Sequence, residues 1–295
     1  MTATLTSSFG LTPEVEAELR ALGATLDPKT IEKSRELFAK DKNLTLPPGG
    51  ERHEDVAYGD HERHRLDICR PQGSGLPIVL FVPGGGFTGG DKAFYAHIPY
   101  FLARQGFVGV AMNYRLAPDF VFPSGAQDVS AALDWLAEHG ADFGGDTSRI
   151  FLIAQSAGAV HSASALFDPG VRPRHHDRIK AAVLMSGLYL IEHGMDALNV
   201  EVYFGTDASL YPERSSANHA ATSSLPVMLT IAELDPVYFP PQAAALVKAL
   251  NARDGRCPPI TWLRGHNHLS PVLALGNPGD ELGEAIVAEF RKYGA

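Results

Sequence analysis

Ser156 is the residue of this sequence best placed to do chemistry. It follows the apolar run 149–154 after one glutamine and opens a helical stretch at 157–167, with Ala154 and Gly158 two positions away on either side. A strand that turns directly into a helix crowds its own backbone, and small residues at those two positions let neighbouring segments approach. Such a turn lifts the hydroxyl clear of the strand ends. It also puts Ser156 and Ala157 at a helix N-terminus, where free N–H groups and the positive end of the helix dipole favour negative charge. A serine that only caps a helix has the same local pattern, so a second signal is needed.

That signal is the stretch VPGGGFTGGDK at 82–92, which follows the β-rich run 77–83. Three consecutive glycines reach backbone geometries closed to other residues and can turn their N–H groups toward one anion, as an oxyanion hole requires. A phosphate-cradling loop is excluded, because no Lys followed by Ser or Thr comes after the glycines at the required spacing. An attacking serine also needs a base, and the base needs an orienting group. Carboxylates stand just past the run 225–232 at Glu233 and Asp235, although Asp235-Pro236 is also ordinary turn chemistry. Past the β-rich run 260–265 stand His266 and His268. Residue types alone leave both pairs open. The close histidine pairs His61/His64, His175/His176 and His266/His268 lack a carboxylate or cysteine at a metal-ligand spacing, so neither a metal nor a cofactor is expected.

The elements that must position these groups alternate along the chain. Buried, β-rich runs at 77–83, 106–114, 149–154, 179–186, 225–232 and 260–265 are separated by helical stretches at 124–139, 157–167, 240–252 and 279–293. The alternation predicts an α/β fold with a mostly parallel central sheet flanked by helices. A hairpin about Gly59-Asp60 is expected before it. Thr12-Pro13-Glu14 and Asp27-Pro28 start two amphipathic helices ahead of any strand. Residues 1–50 are therefore expected to form part of a cap, and 51–295 the catalytic domain. The stretch 187–224 breaks the alternation and is expected to be a cap insertion.

Formal charge is −9 over 295 residues, which disfavours nucleic acid and anionic membranes as partners. The N-terminus lacks a basic segment followed by an apolar core, and no apolar run is long enough to span a bilayer, so a cytoplasmic protein is expected. Cys69 and Cys257, far apart, read as buried apolar side chains in a reducing compartment.

Taken together, Pro83-Gly84-Gly85-Gly86-Phe87, NYRLAPDFVFPSGAQDV at 113–129 and Ala154-Gln155-Ser156-Ala157-Gly158 resemble the hormone-sensitive-lipase-like carboxylesterases of the α/β-hydrolase superfamily. That family carries H-G-G-G-[FW], then Y-R-L-A-P-E followed by F-P-x-x-x-x-D, then G-x-S-A-G. The resemblance runs from about residue 60 to the C-terminus. It implies an α/β-hydrolase fold, Ser156 as nucleophile, and the N–H groups of Gly85, Gly86 and Ala157 as oxyanion donors. The ELDP segment resembles the family's acid loop and implies Asp235 rather than Glu233. The family's G-x-x-H falls on Gly265 and His268, implying His268 rather than His266. Ala154 replaces the first glycine of the serine motif, and Pro83 replaces a histidine that braces the glycine loop. The resemblance supports an architectural pairing of Arg115 with Asp128. Phe87, Tyr203, Phe204, Tyr238 and Phe239 are expected to line an acyl or alcohol pocket. The expected activity is hydrolysis of small to medium acyl esters through an acyl-enzyme. Its alternatives are an amidase, arylformamidase or carbamate hydrolase with the same triad, and a non-catalytic receptor on a hydrolase fold. The expected partner is a small-molecule ester, and the chain is open to forming a homodimer.

Overall fold

The computed structural model describes residues 9–195, 197 and 199–295, so the first eight residues of the N-terminal segment and two positions within 187–224 lie outside the described residues. Among the described residues eight strands are formed: β1 (Glu51–Ala57), β2 (Arg65–Arg70), β3 (Leu76–Val82), β4 (Val108–Met112), β5 (Gly145–Gln155), β6 (Ile179–Met185), β7 (Val227–Leu234) and β8 (Ile260–Asn267). They build one sheet in the order β1-β2-β4-β3-β5-β6-β7-β8. The β1–β2 hairpin is antiparallel and pairs antiparallel with β4, while every pairing from β4 across to β8 is parallel.

The helices are α1 (Pro13–Leu22), α2 (Pro28–Ala39), α3 (His97–Arg104), α4 (Ser124–His139), α5 (Ala157–Phe167), α6 (Val200–Phe204), α7 (Tyr211–Arg214), α8 (Phe239–Asp254), α9 (Ser270–Ala274) and α10 (Glu281–Arg291). Alternate residues of a strand face opposite sides, and β3 shows what this does in a parallel sheet. Ile78, Leu80 and Val82 join one core with side chains of α4, α5 and α8. Val79 and Phe81 join a second core with α1, α2, α3, α9 and α10. Both faces are covered, which is why the central strands read as unbroken apolar runs.

Thr12 and Asp27 cap α1 and α2, accepting from Val15 N and Thr30 N at 3.3 and 2.8 Å. The two helices pack against β8 and α9 respectively. Gly265 of β8 has φ +76°, and a Cβ there would lie 2.9 Å from the Glu16 side chain, so α1 approaches the strand more closely than a larger residue permits. Helix α3 has no counterpart in the sequence expectations. Pro99 masks it, but a proline in the first turn removes no intrahelical bond, and Ile98, Phe101 and Leu102 drive the helix onto the second core. Cys69 is buried as expected, but Cys257 is exposed, a correction that follows from its place in the loop between α8 and β8. Among the described residues no helix is long and apolar enough to cross a membrane.

Candidate active site

Ser156 sits between the last residue of β5 and the first of α5 with φ 53° and ψ −124°. A non-glycine residue seldom adopts this backbone, and such strain is held only where the surroundings impose it. Its N–H donates to Met185 O at 2.9 Å, and its carbonyl accepts from Val160 N at 3.1 Å. A Cβ on Gly158 would lie 2.3 Å from Val82 O, so that glycine is required. Ala154, by contrast, is fully buried between Val82 and Leu184 of the flanking strands, and its methyl is accommodated.

The glycine loop lies directly over this turn. A Cβ on Gly84 would fall 2.9 Å from Ser156 Cβ, and one on Gly85 would fall 2.0 Å from Gly89 O. Pro83 is braced from the next strand's loop: Tyr114 Oη donates to Pro83 O at 2.9 Å. Asn199 Nδ2 donates to Gly86 O at 2.9 Å and to Thr88 Oγ1 at 3.0 Å. Arg63 holds the far end through Gly90 O at 2.8 Å. Ala117 N donates to Phe87 O at 3.0 Å, and Phe87 itself has φ 67°. Arg115 and Asp128 pair as expected, at 2.6 Å, with His64 3.2 Å from the same carboxylate. Burial works against that charge, but the hydrogen bonds from His64 and Arg115 outweigh it and hold the Asp128 carboxyl below its ordinary value.

The carboxylate that meets an imidazole is Asp235. His268 Nδ1 lies 2.7 Å from Asp235 Oδ1, and both side chains are buried. The other carboxylate oxygen accepts from Ser186 Oγ at 2.6 Å and Ala232 N at 2.8 Å. Glu233 is committed elsewhere. Arg20 of α1 donates to both its oxygens, and Gly265 N donates to one at 2.6 Å. The Arg20 hydrogen bonds hold the Glu233 carboxyl below its usual range. His266 turns instead to Ser270, Nδ1 to Oγ 2.9 Å.

Two links bring the His268 loop to the serine turn. Gln155, the residue before Ser156, donates through Nε2 to His268 O at 3.1 Å. Phe239 stacks on the His268 ring at 4.2 Å and also lines the cavity that contains Ser156. His268 Nε2 is buried with no hydrogen-bond partner among the described residues. In substrate-free hydrolases, catalytic hydrogen bonds are often long and tighten only when substrate binds.

The cavity at Ser156 is small, about 20 Å³, and its walls include Phe87, Tyr238 and Phe239. Tyr203 and Phe204 do not line it. Tyr203 stacks flat on Phe87 at 4.7 Å and Phe204 packs edge-on to it at 5.8 Å, so these two rings back the pocket wall rather than forming it. His161 of α5 completes the same aromatic layer, and burial pushes its imidazole down to about 3. Sequence reasoning missed Gln155, Ser186 and Tyr114. Tyr114 and Gln155 lie inside quoted motifs, at 113–129 and 154–158, whereas Ser186 carried no signal.

The prolyl oligopeptidase family model matches residues 124–281, more than half of the chain, and the match contains Ser156, Asp235 and His268. The chain belongs to the prolyl oligopeptidase family of α/β-hydrolases. The BD-FAE family model matches residues 66–167, which hold the glycine loop and the serine turn. A probable carboxylic ester hydrolase, LipM of Mycobacterium tuberculosis, is 34% identical over 157 residues, covering 49% of this chain and 36% of the relative. Chlorogenic acid esterase of Aspergillus niger is 38% identical over 126 residues, covering 39% of this chain and 24% of the relative. The chain thus spans about a third or less of the curated relatives it matches. Among solved structures, esterase B of Lactobacillus rhamnosis superposes with TM-score 0.74 at 20% identity, covering 95% of each chain. The Pyrobaculum calidifontis esterase does so with TM-score 0.73 at 24% identity, covering 96% of this chain and 98% of the other. The expected α/β-hydrolase fold is borne out by the family membership and the superpositions, and the resemblance to carboxylesterases by the ester-hydrolase relatives.

Proposed function

We propose that the chain is a serine carboxylesterase acting on small to medium acyl esters. Ser156 Oγ attacks the ester carbonyl while His268 Nε2 takes its proton, and Asp235 fixes the imidazole through Nδ1 and stabilises the imidazolium. The N–H groups of Gly85, Gly86 and Ala157 receive the oxyanion, each such donor being worth about 3 kcal/mol in the transition state. His268 then passes the proton to the departing alcohol oxygen as the C–O bond breaks. Water, deprotonated by His268, adds to the acyl carbon, and the acid leaves as Ser156 regains its proton.

The observation that carries this reading is the buried Asp235–His268 pair, 2.7 Å apart, with the His268 loop tied through Gln155 to a strained serine. Ester-hydrolase relatives support esters over amides. The N-terminal helices and the 187–224 stretch are proposed as the cap, because Leu26 and Leu188 both line the Ser156 cavity.

The test compares matched p-nitrophenyl esters and p-nitroanilides on the purified chain, together with labelling by a fluorophosphonate. Esters should be the faster substrates and Ser156 the labelled residue. Ser156→Ala should lower kcat on the order of 10⁴-fold or more. Faster anilide or N-formyl cleavage removes the ester assignment, and absence of labelling on folded protein removes the catalytic one.

A further inference from the structure

Two cavities meet at the site. The inner one holds Ser156 beside Gly86 and Ala157 and is walled by Phe87, Val160, Leu188 and Phe239; its volume is about 20 Å³. The outer one is about 590 Å³ and carries Glu192 and His193 beside Val237. Leu26 and Tyr238 line both and therefore form the wall between them. One water molecule needs about 10–15 Å³ of such space, so the inner chamber has room for about one methyl-sized group.

We propose that the site takes esters whose acyl part is no larger than about acetyl, with the bulk of the substrate on the alcohol side in the outer chamber. The inference deepens the esterase reading above and rests on it. An ester carbonyl has two substituents, and the two halves meet different fates. The acyl half stays bonded to Ser156 until the acyl-enzyme is hydrolysed. The alcohol half must depart after the first step, and water must then reach the carbonyl carbon from the side it vacated. The enclosed apolar chamber suits the half that stays, and the large chamber suits the half that leaves. Leu26, supplied by the turn between α1 and α2, is the specificity-determining residue: its side chain closes the inner chamber from a segment outside the α/β alternation.

The test is an acyl series of p-nitrophenyl acetate, butyrate, hexanoate and octanoate on the full chain and on Leu26→Ala and Leu188→Ala. It is paired with acetates of bulky alcohols against methyl esters of bulky acids. For the unaltered chain, kcat/KM should fall about tenfold or more from acetate to hexanoate, since a single methylene too many for a pocket already costs about tenfold and hexanoate adds several. The hexanoate-to-acetate ratio should rise about tenfold in Leu26→Ala. Leu188→Ala, which opens the same chamber from another element, should raise the ratio even where Leu26→Ala fails to fold. Bulky acetates should outpace bulky methyl esters. A preference for hexanoate or longer in the unaltered chain, faster methyl esters, or an unmoved ratio in folded variants overturns the inference. Where any of these occurs while the fluorophosphonate still labels Ser156, the esterase reading stands alone. Absence of both labelling and ester turnover overturns both.

Discussion

Ser34 and Asn267, on opposite ends of the sequence, share a hydrogen bond in the interior: Asn267 Nδ2 donates to Ser34 Oγ at 2.8 Å. Both are essentially without solvent exposure. Asn267 precedes His268, and its Oδ1 accepts from the N–H groups of Leu269 and Ser270 at 3.1 and 3.0 Å. One amide thus shapes the turn that presents the imidazole and is itself anchored by α2. With Arg20 of α1 holding Glu233 near the acid loop, the N-terminal helices clasp both loops that carry the Asp235–His268 pair.

Ser34→Ala leaves the buried Asn267 N–H without its acceptor. A stranded buried donor costs about 1–3 kcal/mol, which should appear as a lower midpoint in urea unfolding. Because the loss is transmitted to the His268 turn, kcat should fall while KM changes little. An unchanged midpoint and unchanged kcat would show the anchor to be incidental.

Tyr114→Phe removes the hydroxyl that braces Pro83 and leaves the rest of the ring in place. Oxyanion donors act through fixed position, so a loosened loop should lower kcat by about tenfold, the scale of a misplacement worth roughly 1.4 kcal/mol. Steady-state kinetics on p-nitrophenyl acetate reads it. A normal kcat would mean that Asn199 and Arg63 hold the loop without help.

Asp280 caps α10 and accepts from Gly283 N and Gly276 N at 2.9 and 2.7 Å. Burial raises its carboxyl to about 6 against those hydrogen bonds, from an ordinary value of 3.8. The folded state therefore binds the proton more tightly than the unfolded one. This contribution to stability is present below about pH 4 and is lost as pH rises toward 6, amounting to about 2–3 kcal/mol. Unfolding free energies at pH 4 to 7 should show this fall in the unaltered chain but not in Asp280→Asn. Parallel curves for the two proteins would refute it.

The strands and the serine turn were legible because local rules wrote them. Apolar runs between helical periods announce a sheet buried on both faces, and the small residues around Ser156 answer steric contacts made within a few ångströms of the same backbone. Helix α3 escaped notice because Pro99 reads as a breaker unless its place in the first turn is known. Tyr203 and Phe204 were expected at the pocket surface because aromatic residues in an irregular stretch carry no sign of which side of Phe87 they occupy.

The sequence by itself determined that a hydroxyl stands on a sharp strand-to-helix turn, that glycine amides follow another strand, and that an acid and a base come late in the chain. Each is a property of neighbouring residues, where sterics and periodicity act. The motif resemblance already implied Asp235 over Glu233 and His268 over His266; only the tertiary structure decided that these two meet each other and that their neighbours are held elsewhere. Members of each pair are chemically equal and two positions apart. What separates them is Arg20 and Ser270 claiming one of each, a choice made by contacts between side chains that only the folded chain brings together.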